Sequence, residues 1–246
     1  MRTGERFYAP DTEAGTGKAT DFGAEEVAEI YGEGLLSEKL SLKPTNLEVV
    51  GSIAGQEVLD LGCGGGAYSA IFADAGARVT AVDNSKTQIE RARAKQNRES
   101  IEYIVGDAVS LSSLQDASKD LVFMNMVLIN VADKTTVQKI FEEARRVLRE
   151  NGRLVFSMIH PLNLVIENKY DQTEEFDPKR YFESGFKYKA KALTTTGKLI
   201  EFKDVHHSLT DLSKMLRDTG FFIKGLHESK QVPDKGIYEL KKLLSG

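Results

Sequence analysis

Ten residues, Glu57-Val58-Leu59-Asp60-Leu61-Gly62-Cys63-Gly64-Gly65-Gly66, constrain the fold more than any others in the chain. Apolar residues on both sides of Asp60 read as a strand covered on both faces, the pattern of a parallel sheet. The strand breaks at once into a glycine turn. Glycine tolerates positive φ and lets a ligand lie directly against backbone N–H groups. Ala67-Tyr68-Ser69-Ala70-Ile71-Phe72-Ala73 then reads as the helix that opens from the turn. A strand, a glycine turn and a helix N-terminus together make a cradle of the nucleotide-binding type.

The turn by itself specifies little, because Gly62-x-Gly64-x-x-Ala67 matches the dinucleotide fingerprint only loosely. Acidic residues at the ends of later strands narrow the reading. Arg78-Val79-Thr80-Ala81-Val82 is a second strand and ends on Asp83, 21 positions after Gly62, where a carboxylate can accept from ribose hydroxyls. Ile101–Val105 is a third strand, followed by Gly106-Asp107-Ala108. Leu121–Val127 is a fourth, very apolar strand and Arg153–Ile159 a fifth. Between them Val137, Ile140, Phe141, Ala144, Val147 and Leu148 form the stripe of a helix expected to end near Asn151-Gly152. Thr87–Ala94 is helical, with Asn84 or Ser85 as its N-cap. This alternation demands right-handed crossovers and a parallel sheet, with ligands beyond the carboxyl ends of the strands.

Val-Leu-Asp-Leu-Gly-Cys-Gly-Gly-Gly, Ala-Val-Asp-Asn-Ser and Gly-Asp-Ala, in this order, resemble the class I S-adenosylmethionine-dependent methyltransferases. The apolar fourth strand and Arg-Arg-Val-Leu-Arg-Glu-Asn-Gly-Arg-Leu-Val-Phe-Ser complete the set, which covers roughly residues 45–160. The resemblance implies a Rossmann-like α/β fold. Its seven-stranded, mostly parallel sheet has the order 3-2-1-4-5-7-6, helices on both faces and an inserted lid after strand five. It implies S-adenosylmethionine as methyl donor and S-adenosylhomocysteine as product.

It also implies roles for residues. Gly62, Cys63 and Gly64 lie beside the amino-acid and ribose parts of the donor, and Asp60 orients its amino group. Asp83 binds both ribose hydroxyls as an ionised acceptor. Asp107 accepts from the adenine amino group and the Ala108 N–H meets a ring nitrogen, with Asn84 alongside. Backbone at Met124 and Asn125 borders the sulfonium. Cys63 reads as a small apolar filler of the turn. Histidine is scarce, with four in the chain. His160 follows strand five, and His206 precedes the helix that begins near Ser208. Both are candidate bases in similar small-molecule methyltransferases, with His206 favoured over His207 by spacing. No metal is expected.

Residues 1–20 are polar and without periodicity, and are expected to be mobile. Over 21–56, Ala24–Tyr31 has helical spacing and Pro44 suits the first turn of another helix carrying Leu47 and Val50, so this stretch is expected to cover the cofactor edge. The methyltransferase domain then runs over 57–246, interrupted by 161–205. That insertion is rich in charges and aromatics; Lys187–Leu193 alternates as an antiparallel strand and Thr194–Gly197 is its turn. Above the carboxyl edge it is expected to act as a substrate cap. The alternation resumes with a helix over 209–219, a strand over 220–226 and a last strand at 237–240.

A net charge of -4 argues against a protein that coats nucleic acid through its overall field. One cysteine excludes an intrachain disulfide and suits the cytoplasm. No run approaches the ~20 apolar residues of a membrane span. The expected protein is cytoplasmic, a monomer or homodimer, acting on a small-molecule acceptor. The alternatives are an RNA or protein methyltransferase, given a basic Lys187, Lys189, Lys191 and Lys198, and an NAD(P)-binding Rossmann protein.

Overall fold

The computed structural model describes residues 42–160, 171–174, 178–197, 199–228 and 235–242. The helix expected over Ala24–Tyr31, the stretch 1–20 expected to be mobile and the start of the insertion fall outside them. Within them, helix α1 (Lys43–Val50) carries its proline in the first turn and is followed by strand β1 (Glu57–Leu61). Next come α2 (Ala67–Asp74), β2 (Arg78–Asp83), α3 (Lys86–Lys95), β3 (Ile101–Val105) and β4 (Lys119–Asn125). A 3-10 turn at Leu128–Asn130 leads into α4 (Lys134–Val147) and β5 (Leu148–Ile159). The insertion contributes β6 (Asp171–Glu174), β7 (Phe186–Leu193) and β8 (Leu199–His206). Helix α5 (Leu209–Asp218) and strands β9 (Phe221–Glu228) and β10 (Lys235–Lys242) close the described chain.

The main sheet has the order β3-β2-β1-β4-β5-β10-β9, which is the expected order once the three inserted strands are set aside. β1 pairs in parallel with β2 and β4, β2 with β3, and β4 with β5; β10 runs antiparallel to both β5 and β9. One apolar layer packs α4 (Val137, Phe141, Ala144) and α5 (Leu212, Leu216) onto Leu59, Leu61, Val122 and Phe156. The opposite layer packs α1, α2 and α3 (Val50, Tyr68, Phe72, Ile89) onto Val58, Phe123 and Val155. Period-two alternation thus divides each strand between two helical layers. Strand order reverses between β1 and β4, and ligands of open α/β sheets bind at that crevice.

Two boundaries differ from expectation. β4 ends at Asn125, because Met126 takes φ +57, a left-handed conformation uncommon for a side chain of its size. α4 ends at Val147 and not at Asn151-Gly152: Leu148 is already extended and pairs with Lys119. The strand then makes an exposed excursion over 149–151 before Arg153 pairs with Leu121. Gly152 packs too tightly against Leu148 and the Lys119 carbonyl to carry a side chain, so the glycine marks this excursion, not a helix stop. The helix caps follow local chemistry: Ser85 accepts from the Gln88 N–H, Asp133 from Thr136 and Ser208 from Asp211.

The inserted strands form a separate antiparallel sheet, β6-β7-β8. Its turn at 194–197 closes with the Gly197 N–H on the Thr194 carbonyl.

Candidate active site

The carboxyl ends of β1 and β2 are tied together through backbone. The Gly62 and Cys63 N–H groups both donate to the Val82 carbonyl, at 2.7 and 3.1 Å. Gly62 has φ +76, and a Cβ there would overlap the Val127 side chain. Gly66 has φ +78, and a Cβ there would stand 2.6 Å from the Tyr103 hydroxyl. Gly64 is different. Nothing lies within 4 Å of the place where its Cβ would be, so the space above it is open. The turn is therefore packed shut at both ends and free in the middle, a backbone surface against which a flat, polar ligand fits.

Two carboxylates serve that surface. Asp83 ends β2; its Oδ2 accepts the Gly64 N–H at 2.8 Å and its Oδ1 the Ser85 N–H at 2.9 Å. Burial pushes its carboxyl up, against the two backbone donors that pull it down. Each oxygen keeps a lone pair for a further donor. Asp60 is buried in β1 and accepts from Ser69 Oγ of α2 at 2.5 Å. Burial pushes the Asp60 carboxyl up to about 7; the Ser69 hydrogen bond opposes that rise and the nearby Asp83 adds to it. It is thus poised to change charge near neutrality. Burial and both carboxylates push the neighbouring Cys63 thiol far up, which disfavours the thiolate a nucleophile needs. Asn84 is exposed beside Asp83.

Past β3, Asp107 is exposed and folds its Oδ1 onto the Val109 N–H at 3.2 Å. The Gly106 N–H donates to the Asp83 carbonyl at 3.0 Å, so the ends of β2 and β3 are joined. Ala108 packs against the apolar layer below. The structure therefore lines up Asp60, Gly62–Gly64, Asp83 and Asp107 along one edge of consecutive strands. Met124 is buried, and its neighbour Asn125 reaches that edge partly exposed.

The histidines are held by separate partners. His160 ends the β5 run, buried, with Nε2 3.5 Å from Glu228 Oε1 on β9; burial holds its imidazole below the ordinary value and the carboxylate opposes this. His206 closes β8 and places Nε2 2.6 Å from the Tyr181 carbonyl, with the two rings 5.3 Å apart. An imidazole facing a carbonyl must donate, so the proton of neutral His206 sits on Nε2. His207, ranked second by spacing, reaches the turn after β4 and contacts the Val131 carbonyl at 2.7 Å. Ser208 N–H on Ser184 Oγ at 2.9 Å and the Lys134–Asp211 ion pair at 3.1 Å join the same region. The inserted sheet is therefore fastened to the segment that leaves β4.

Sequence reasoning missed four contributors. Asn46 of α1 is fully buried; its Nδ2 lies 2.8 Å from Tyr68 Oη and 3.1 Å from Asn125 Oδ1. Ser157 Oγ donates to the same Asn125 Oδ1 at 2.6 Å. Met126 carries the left-handed turn, steadied by its N–H on the Ser157 carbonyl and by Asn130 Nδ2 on its own carbonyl. Val127 supplies the wall against Gly62. The one legible signal was Asn46, a polar residue one turn from Val50 on the buried face of its helix.

Comparison with known proteins agrees with this geometry. A family model described as "Methyltransferase domain" matches residues 59–156. An uncharacterized methyltransferase of Bacillus subtilis, YbaJ, is 31% identical over 185 residues, covering 72% of this chain and 70% of that protein. A ubiquinone biosynthesis O-methyltransferase of Xanthomonas oryzae is 33% identical over 125 residues, 49% of this chain; the match spans only about half of that relative, 51%. Among solved structures, an S-adenosylmethionine-dependent methyltransferase from Mesorhizobium loti superposes with a TM-score of 0.63 at 22% identity, covering 81% of this chain and 96% of that one. The chain belongs to the class I S-adenosylmethionine-dependent methyltransferases.

Proposed function

We propose that the protein transfers the methyl group of S-adenosylmethionine to a small-molecule acceptor across the carboxyl edge of β1 and β4. The observation that carries this reading is the open backbone over Gly64, flanked by Asp60 and Asp83 with lone pairs to spare. In it, Asp83 receives the ribose hydroxyls while holding the Gly64 N–H, so turn and ribose are set by one carboxylate. Asp107 accepts from the adenine amino group and the Ala108 N–H meets the ring, with Asn84 at the rim. Asp60 faces the ammonium end, and an arriving cation favours its ionised form. Cys63 fills the turn. When bound, the sulfonium supplies an activated methyl group; the protein supplies alignment and exclusion of water.

His160 is the base in this reading. Its imidazole is held neutral by burial, and the Glu228 carboxylate behind it stabilises the cation formed when it takes the acceptor's proton. His206 acts as a second contact in the acceptor pocket. The segment 161–205 caps that pocket, and its aromatics favour a ring-bearing acceptor. A quinone-pathway relative fits that class without fixing the substrate. The basic strand face counts less toward nucleic acid than its lysines suggest, since Lys191 pairs with Glu201 at 3.4 Å and both side chains are largely covered. Among the described residues no helix is long and apolar enough to cross a membrane, and a cytoplasmic location fits that.

The test is methyl transfer from labelled donor to a panel of phenols, catechols, short-chain hydroquinones, amines, thiols and an RNA transcript. The account expects turnover with a ring-bearing small molecule, reduced by about 100-fold or more in His160→Gln at unchanged S-adenosylhomocysteine affinity. Turnover confined to the RNA overturns the small-molecule reading, and an undiminished His160→Gln overturns the base.

A further inference from the structure

Asp60 and Asn125 stand on adjacent parallel strands and on the same face of the sheet. Asp60 is in register with Phe123, and Asn125 lies two residues further on, toward the carboxyl edge. Both face the layer of α1 and α2: Asp60 bonds to Ser69 of α2, and Asn125 to Asn46 of α1. One group is an acceptor that can carry negative charge. The other is an amide whose orientation is decided by its neighbours.

Asn125 Oδ1 is occupied twice, by Ser157 Oγ at 2.6 Å and by Asn46 Nδ2 at 3.1 Å. Both partners are almost wholly buried, at 1% and 0% exposure, so the oxygen faces inward. The NH2 edge of the amide is left on the accessible side, and among the described residues it meets no acceptor. Two donors on the oxygen favour this orientation of the amide over its flip. Asn46 is placed for this task by packing: it shares the buried face of α1 with Val50, and its Nδ2 also meets Tyr68 Oη at the start of α2.

An α-amino acid presents an ammonium and a carboxylate on one carbon. An acceptor and a fixed donor one residue pair apart on neighbouring strands complement those two groups. We infer that the Asn125 side-chain amide binds the carboxylate of the donor's methionine end while Asp60 faces its ammonium, and that Asn46 and Ser157 are positioning residues that hold the amide in that sense. This rests on the reading that the edge binds S-adenosylmethionine, and it adds a side-chain role to a residue otherwise expected to contribute backbone. Asn46 lies outside the segment matched by the family model, residues 59–156.

The experiment compares two probes by titration calorimetry on the full chain: S-adenosylhomocysteine, and 5′-methylthioadenosine, which keeps the adenosine and lacks the amino-acid end. Asn125→Asp keeps the volume and the inward oxygen and replaces the NH2 by a second oxygen. It should weaken S-adenosylhomocysteine by about 10-fold or more, the worth of one hydrogen bond to a charged group, and leave methylthioadenosine within about twofold. Asn46→Leu should lower the preference between the probes in the same direction, by about fivefold. A merely structural role for either residue would lower both affinities together, and that result overturns the inference, as does an unchanged preference in Asn125→Asp. Failure of the wild-type protein to bind either probe is a different outcome: it overturns the donor-binding reading itself.

Discussion

The Gly62–Gly66 edge and the segment that leaves β8 reach their contacts over very different chain distances. Asp60 meets Ser69 nine residues on, and Gly64 meets Asp83 nineteen residues on, so each contact joins consecutive elements of one βαβ unit. His207 meets Val131 across 76 residues, and Lys134 meets Asp211 across 77. Short-range contacts leave a spaced motif, because strand length, turn and crossover fix which residues end together. Long-range contacts depend on how whole elements pack, and leave isolated residues with no pattern. The lesson is that contacts within one βαβ unit leave a readable motif, and contacts between elements distant in the chain do not.

That contrast can be pressed hardest through Asp60, a buried carboxylate poised near neutrality. Its folded value near 7 lies above its ordinary 3.8, so the folded state binds the extra proton. Stability contributed at Asp60 is therefore full below about pH 4, falls as pH rises through 7, and is flat beyond, by about 4 kcal/mol for a gap of about three pH units. Asp120, Glu143 and Asp211 are shifted the other way, so the effect is read as wild type minus Asp60→Asn in denaturant unfolding across pH. A pH-independent difference would remove the buried charge from the account.

Next in size is a matched pair within the turn. Gly62→Ala forces a Cβ onto Val127 at a positive φ and should cost about 3 kcal/mol of stability. Gly64→Ala has open space above it and should cost only about 1 kcal/mol, for its φ of +51, while weakening S-adenosylhomocysteine by about 10-fold or more. Equal melting temperatures in the two variants, followed by differential scanning calorimetry, would erase the distinction between packed and ligand-facing glycines.

Asp83→Ala should weaken S-adenosylhomocysteine by about 100-fold, the loss of two charge-assisted hydrogen bonds. The smallest effect belongs to the segment that leaves β8. His207→Ala removes a buried contact to the Val131 carbonyl and should lower stability by about 1–2 kcal/mol with no change in S-adenosylhomocysteine affinity. A coupled loss of affinity, seen in the same titration, would show that the two regions are one unit.

The sheet order, and with it the placing of Asp60, Asp83 and Asp107 at neighbouring strand ends, was legible because it follows from periodicity and from crossover handedness. Ser85 as an N-cap, the 194–197 turn and the last two strands, expected at 220–226 and 237–240 and found at Phe221–Glu228 and Lys235–Lys242, also came from local chemistry. The end of β4 did not, since nothing about an apolar Met-Asn-Met-Val run marks a left-handed methionine; the Ser157 carbonyl and Asn130 impose it from elsewhere. The end of α4 was misread because Gly152, an expected helix stop, is required by tight packing against Lys119 and Leu148. His207, just past the end of β8, and not His206 reaches the β4 turn, because where the chain leaves the strand decides which side chain turns toward Val131, and spacing along the chain does not show that.

The central claim is that the Gly62–Gly66 edge holds an adenosyl amino acid. Titration calorimetry of the wild-type chain and Asp83→Ala with S-adenosylhomocysteine and with NAD tests it most directly. The account predicts saturable one-to-one binding of S-adenosylhomocysteine that is lost or strongly weakened in Asp83→Ala, and no binding of NAD. Binding of NAD without S-adenosylhomocysteine, or S-adenosylhomocysteine binding indifferent to Asp83, would contradict it.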